Sequence, residues 1–464
     1  MTEGAWDEQE EAARRFVERA RSLPGDDTYP AFPPAEPVGR ADPYGAFATA
    51  LETPESVDGP LSDLDLATKD NVAVRGVTHR AGTGRLAWEP DHDATVVERL
   101  RVAGADLVGT TRMDPFALGV TGEGCVAGRT ENPAVAGAVP GGSSSGSAAA
   151  VAGGLADAAL GTDTAGSVRV PASFCDLVGV KPTFDLVPRT GVLDLAPTLD
   201  HVGVLARDVG TAARVLGALG GGDPLRPATA HTDPVRPTGT LDSELGRLRV
   251  GVPEEFVAAA DPGVRATVEG TLADLAGRAG VTVERLDFPE HGDAGFVNQL
   301  HTLREFARLR AGGGQPLGNG RFPDARTALA TSLSDAEVPP RVHRLAAIGE
   351  ALRREGRDAY AAGWDARRRQ VRRTRSCFDR VDVLAAPTTP MTAPEFGAVG
   401  GEDRHEVSVP EVVANTAPFN NTGSPAVSVP CSRADGAPVG IQFAAPRGED
   451  ALALRAALAV ERLS

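Results

Sequence analysis

The chain has 464 residues, a formal net charge of -16, 41% hydrophobic and 24% charged residues, which fits a globular protein with one large domain or two to three ordinary ones. No apolar run approaches the roughly 20 residues that cross a bilayer, and the acidic surplus repels nucleic-acid phosphates and anionic lipids. Neither a membrane nor a nucleic acid is therefore expected as a partner.

Residues 3 to 23 place Ala12, Phe16, Ala20 and Leu23 at helical spacing, and a proline-rich stretch follows around Pro30 to Pro43. This reads as an N-terminal helix and an extended linker. The start of the chain is acidic, with no apolar segment behind it, so it does not resemble a signal peptide and cytoplasmic residence is the default expectation. From about residue 60 short apolar runs alternate with helical patterns. Val96 to Ala103 reads as a helix, Asp106 to Gly109 as a strand, Ser147 to Leu155 as a helix of small residues and Ala156 to Gly161 as a strand. Leu248 to Val252 and Val281 to Leu286 read as strands around a helix from Pro262 to Ala279. Residues 289 to 377 carry only helical periodicity and loops, including Arg367-Arg368-Arg369, which reads as a solvated helix face. Strand patterns return at Val381 to Ala385, Ala426 to Val429 and Val439 to Phe443, before a last helix over Asp450 to Leu463. Such alternation indicates an α/β layered fold. Gly220 to Pro237 is the weak boundary candidate.

Cys125, Cys175, Cys377 and Cys431 lack metal-ligand spacing, and no metal or other cofactor is expected. Lysine is scarce: of 47 basic residues only Lys69 and Lys181 are lysines. An amine can be neutralised by burial and then accept a proton, whereas guanidinium stays charged. Lys69 is therefore a candidate base.

Two glycine- and serine-rich loops offer partners, GGSSSGS at 141 to 147 and GTDTAGS at 161 to 167. The first lacks the Lys-Ser/Thr pair of a P-loop. It formally matches G-x-S-x-G with Ser144 as nucleophile and His201, His301 or His405 as base, but an elbow follows directly from a strand and Ala138-Val139-Pro140 is short and ends in proline.

Lys69-Asp70, GGSSSGSAAAVAGG, GTDTAGSVRVPA, Gly179-Val180-Lys181-Pro182-Thr183, Leu199-Asp200-His201-Val202-Gly203, Ala386-Pro387-Thr388-Thr389-Pro390 and Asn421-Thr422-Gly423-Ser424-Pro425-Ala426, in that order, resemble the amidase signature family. The resemblance implies a single α/β catalytic domain over 59–464, with a central twisted mixed β-sheet flanked by helices on both faces. It leaves 1–58 as the N-terminal helix and linker and makes 289–377 a helical substrate-pocket region. It implies Ser167 as nucleophile, Ser143 after a cis peptide bond as proton bridge, and Lys69 as terminal base. The oxyanion hole falls to the backbone N–H groups of Thr164, Ala165, Gly166 and Ser167. Relatives commonly have Gly where this chain has Ala165, and a left-handed backbone there would be strained. Ser144, Asp163 and Arg169 become supporting residues, the last two as an ion pair, and His201 and Lys181 packing residues. The substrate pocket falls to the stretch containing Met113, Gly122, Glu123, Gly124 and Cys125.

The expected reaction is hydrolysis of the C–N bond of a small-molecule carboxylic amide through a serine acyl-enzyme. The alternatives are an esterase using Ser144 with a histidine, and a glutamine-hydrolysing amidotransferase subunit. The expected partner is the small-molecule amide alone, with a homodimer compatible.

Overall fold

The computed structural model describes residues 11, 14–15, 32–53, 57–84, 86–223, 229, 233, 238–241, 247–278, 280–311, 337–398 and 410–463. Most of the expected N-terminal helix, including Ala12, Phe16, Ala20 and Leu23, lies outside them, as do His405 and much of the segment from Gly220 to Pro237. Glu11, Arg14 and Arg15 are helical. Pro34–Ser464 forms one unit.

Among the described residues twelve strands build one mixed sheet. They are β1 (Glu36–Pro37), β2 (Phe47–Glu52), β3 (Asp65–Lys69), β4 (Asp106–Thr111), β5 (Ala158–Asp163), β6 (Val178–Lys181), β7 (His201–Ala206), β8 (Leu248–Pro253), β9 (Val281–Leu286), β10 (Val383–Pro387), β11 (Ala426–Ala434) and β12 (Ala437–Ala444). Their order is β1-β2-β4-β3-β5-β7-β6-β11-β12-β10-β8-β9. The pairs β3/β4 and β3/β5 are parallel, while β5/β7, β6/β7 and β6/β11 are antiparallel. Helices flank the sheet, as the resemblance implies. Two strands, β1 and β2, fall inside the stretch expected to be a linker, so the sheet begins before residue 59.

Two features of this layout position the site. Strands β3 and β5 run side by side and in the same direction, so their C-terminal ends place Lys69 and Asp163 at one edge. Every residue of β5 is buried, as expected for an interior strand covered on both faces. The second feature is the helix Ser145–Ala152, whose sequence SGSAAAVA is buried from Ser145 to Val151. Its small side chains let its backbone approach the sheet. A Cβ at Gly146 would stand 2.2 Å from the Ala46 carbonyl oxygen and 2.5 Å from Arg112 N. Ala148, Ala149, Ala150 and Val151 pack with Ala159, Val168 and Ala172 in one apolar cluster. Enlarging one of these alanines would cost about 1–3 kcal/mol through overpacking.

The region from 289 to 377 supplies the helices His291–Arg310, Pro340–Arg354 and Arg357–Phe378, with residues 312–336 outside the described set. Among the described residues no helix is long and apolar enough to cross a membrane.

Candidate active site

Lys69 ends β3 with none of its surface exposed. Its Nζ lies 2.8 Å from Ser143 Oγ and 2.8 Å from Thr162 Oγ1. Burial drives its pKa down to about 7, although Asp114, Asp163 and Asp200 pull the other way. Near neutrality a large share of these molecules therefore holds an uncharged amine able to accept a proton. The Gly142–Ser143 peptide is cis, and Ser143 is fully buried.

Ser167 follows β5 in the turn that begins at Thr164. It is 5% exposed and, with Thr164 and Ala165, faces a cavity. The turn is held from outside: Thr164 Oγ1 donates to Asp200 (2.6 Å), Asn298 Nδ2 donates to the Thr164 carbonyl (3.0 Å), and Thr416 Oγ1 donates to the Ala165 carbonyl (2.6 Å). With the carbonyls of Thr164 and Ala165 engaged, the N–H groups of Ala165, Gly166 and Ser167 make no hydrogen bond among the described residues. The left-handed conformation falls on Gly166, at φ +145°, and not on Ala165. A Cβ at Gly166 would meet Thr416 Oγ1 at 2.2 Å. Ala165 therefore costs the loop no backbone strain of the kind that glycine relieves.

Asp163 and Arg169 form the expected pair, fully buried and bidentate at 3.1 Å in each arm. Burial alone would raise the Asp163 pKa, but the Arg169 guanidinium outweighs it and holds the carboxyl well below the usual range. Arg169 also donates to the Thr416 carbonyl, Gln442 and Asn420, so a buried charge is surrounded by acceptors from distant parts of the chain. The pair anchors the turn: Asp163 Oδ2 accepts from Val168 N, directly after Ser167, at 3.2 Å.

Ser144 donates to the Thr162 carbonyl at 3.3 Å, tying the first loop to β5. No histidine among the described residues bonds it. His201 Nδ1 lies 2.7 Å from the Leu199 carbonyl and its Nε2 3.2 Å from Lys181 Nζ, while His301 packs edge-on against Tyr360 and Trp364.

The cavity beside Ser167 is lined from one side by residues 117 to 121 and from the other by Gly295, Asn298, Arg341, Arg344, Leu345 and Ile348. The residues expected at the pocket sit close by without lining it. Met113 is buried in the core. Gly122 N and Gly124 N donate to Asp114, Glu123 accepts from Gly397 N at 2.8 Å, and Cys125 is buried. The shift has a physical cause: Asp114 gathers the amides of Gly122 and Gly124 and the Arg341 guanidinium (3.1 Å), which leaves the preceding residues facing the cavity.

Sequence reasoning missed Thr162, Asp114, Asn298 and Arg341. Thr162 lies inside the GTDTAGS run, where alternation along β5 would have put it on the same face as Thr164. Asn298 and Arg341 belong to helices without any motif. Among the described residues no group of His, Cys, Asp and Glu could hold a metal ion.

A buried amine on a serine hydroxyl, together with a second serine that faces a cavity in a turn of unengaged amide N–H groups, is the equipment of an amidohydrolase with a serine nucleophile. Residues 41–454 match the family model described as Amidase. The chain is 38% identical over 434 residues to a glutamyl-tRNA(Gln) amidotransferase subunit of Natronomonas pharaonis, covering 90% of this chain and 99% of that one. The crystal structure of a protein of the same name from Thermotoga maritima superimposes with a TM-score of 0.77 at 30% identity, covering 91% of this chain and 88% of that one. The peptide amidase of Stenotrophomonas maltophilia gives 0.72 at 30% identity, covering 87% and 83%. The chain belongs to the amidase signature family and is a hydrolase of amide C–N bonds.

One expectation is overturned. A small-molecule amide as sole partner, with nucleic acid excluded, does not stand against relatives that match nearly end to end and are named as one subunit of a tRNA amidotransferase. Net charge sums over the whole surface, so it carries no information about a partner subunit or a local basic cleft.

Proposed function

We propose that this chain is the glutamine-hydrolysing subunit of a tRNA-dependent amidotransferase, releasing ammonia for a partner subunit to use, in the cytoplasm. The observation that carries this reading is the relatives' shared name at 38% identity over nearly their whole length. In this reading Ser167 Oγ attacks the side-chain amide carbon while its proton passes to Ser143 and the Ser143 proton passes to neutral Lys69. The N–H groups of Ala165, Gly166 and Ser167 receive the charge that develops on the carbonyl oxygen. The proton returns by the same route to the leaving nitrogen, which departs as ammonia and leaves an acyl-enzyme on Ser167. Water, activated by the same relay, releases the acid. The short Lys69–Ser143 contact and the lowered Lys69 pKa support the base and bridge roles. The helices between 289 and 377 build the substrate side of the cavity, through Asn298 and Arg341.

A second reading, hydrolysis of an amide other than glutamine, is favoured by one observation. The described lining carries two arginines, neutral hydroxyl and amide side chains and apolar groups, and no carboxylate to meet the α-ammonium of glutamine. Co-expression with amidotransferase partner subunits, followed by ammonia release from glutamine and from a panel of amidated peptides and simple amides, separates the two. Glutamine-dependent ammonia release that rises in the complex supports the first; turnover of the other amides with glutamine inert sinks it.

A further inference from the structure

A second cleft, of about 510 Å³, opens between the helix Arg357–Phe378, the segment around Phe184 and the loop at Arg447. This is within the size range of small-molecule sites. Its lining differs from that of the cavity beside Ser167, and it contains part of the arginine-rich run that sequence patterning assigns to a solvated helix face.

The Arg367 side chain is fixed at three points. Its Nε donates to the Asn421 carbonyl (2.6 Å), Nη1 to Thr198 Oγ1 (3.0 Å) and Nη2 to the Thr198 carbonyl (2.7 Å). All three acceptors are neutral, so the guanidinium is held in place while its charge is left without a bonded carboxylate. Glu305 lies beyond Thr198, spending both oxygens on the Thr198 N–H and hydroxyl, so it favours the Arg367 charge from a distance and without a hydrogen bond to it. Arg447 lines the same cleft, is exposed, and makes no hydrogen bond or ion pair among the described residues. It is near enough to Arg367 to repel it. Two guanidiniums without a bonded carboxylate, facing one cleft in a protein of net charge -16, form a local site for an anion. The other cations there are paired: Arg189 with Asp185 and Asp194, and Arg368 with Asp365. The walls also carry the half-buried rings of Trp364 and Phe184, each with a guanidinium over it, Arg367 at 4.9 Å and Arg189 at 5.1 Å from the ring centres.

We propose that this cleft binds a nucleotide, with its phosphate between Arg367 and Arg447 and its base against the aromatic wall. Phosphate suits paired guanidiniums because it offers several acceptor oxygens, and a base suits an aromatic wall that a bare anion would leave unused. The recognising chemistry is the same for a free nucleotide and for the end of an RNA strand. The site does not depend on the proposed reaction, and a failure of glutamine hydrolysis leaves it standing.

Calorimetric titration of the full chain with AMP, adenosine, inorganic phosphate and a short single-stranded RNA tests it. AMP, the RNA or both should bind more tightly than adenosine or phosphate, and Arg447→Ala should weaken that binding by about tenfold, the loss of one charge-assisted contact. Arg447 is exposed, so this variant should fold, and its amide hydrolysis should be unchanged. Trp364→Ala should weaken AMP or RNA while leaving phosphate unaffected. Binding of AMP alone identifies a free nucleotide, and binding of RNA alone a strand end. No binding of either, or binding indifferent to Arg447→Ala, or phosphate as tight as AMP, overturns the proposal.

Discussion

The surroundings of Lys69 and of Lys181 make an informative pair. Both lysines end strands of the same sheet, both are fully buried, and burial lowers the pKa of both. Their neighbours differ in kind. Lys69 faces two hydroxyls, Ser143 and Thr162, and a hydroxyl can hand over a proton. Lys181 faces the carbonyls of Pro182 and Ser424 and the Nε2 of His201, whose Nδ1 lies on the Leu199 carbonyl and therefore carries the ring proton. Each of the three can only accept. Burial thus makes a lysine available as a base only where a neighbour has a proton to give, and elsewhere the same residue is a tie between strands.

The largest effect expected from this contrast is on turnover. Lys69→Ala should lower kcat by about 10⁶-fold in steady-state assays, as loss of the base does in other serine hydrolases, with the fold intact by circular dichroism. Lys181→Met should do the reverse, costing about 3 kcal/mol in urea unfolding by stranding buried acceptors, while the folded fraction turns over at close to the wild-type rate. Equal losses of turnover in the two variants would dissolve the distinction.

A third expectation concerns stability against pH. The folded pKa of Lys69, about 7, lies below its unfolded value near 10.5. The unfolded chain therefore binds the extra proton between those values, and stability rises with pH across that window. Below pH 7 the cost of a buried ammonium is present in full. Lys69→Met removes that cost, about 5 kcal/mol for this shift, but also strands the Ser143 and Thr162 hydroxyls at about 1–1.5 kcal/mol each, so the variant should gain about 2 kcal/mol over wild type at pH 6, an advantage that shrinks as pH climbs toward 10.5. A gain that does not vary with pH would mean that packing, and not charge, sets the effect. The smallest effect belongs to Thr162→Val, which removes one of the two hydroxyls on Lys69 and should lower kcat by about tenfold through misplacement of the amine. No change would make Thr162 a bystander.

Much of the candidate site is legible because its residues sit in short runs. Lys69, Ser143, Ser167 and the Asp163–Arg169 pair all fall within continuous motifs, and the scarcity of lysine sets the first of them apart. The fold class was legible from alternating patterns, but particular strands were not. β3 reads Asp-Leu-Ala-Thr-Lys, a polar-ended stretch whose lysine suggests solvent, and its burial is decided by β4 and β5 on either side. The helix and strand after the first serine loop begin about two residues away from where periodicity puts them, since alanine and glycine fit either element. Asn298, Arg341 and Thr416 approach the site from far along the chain, and no local pattern distinguishes them from other polar residues. The arginine-rich run is the converse: its spacing describes an exposed face, but Arg367 turns inward onto Thr198 and Asn421 through contacts that spacing does not encode.

The central claim, that neutral Lys69 draws the proton of Ser167 through Ser143, is tested most directly by the rate at which a fluorophosphonate labels Ser167 as a function of pH. The account predicts a rate that climbs through about pH 7 in the wild type, is lost in Ser167→Ala, survives in Ser144→Ala, and falls to background at every pH in Lys69→Arg, whose guanidinium cannot accept a proton. Labelling of Lys69→Arg at the wild-type rate would contradict it.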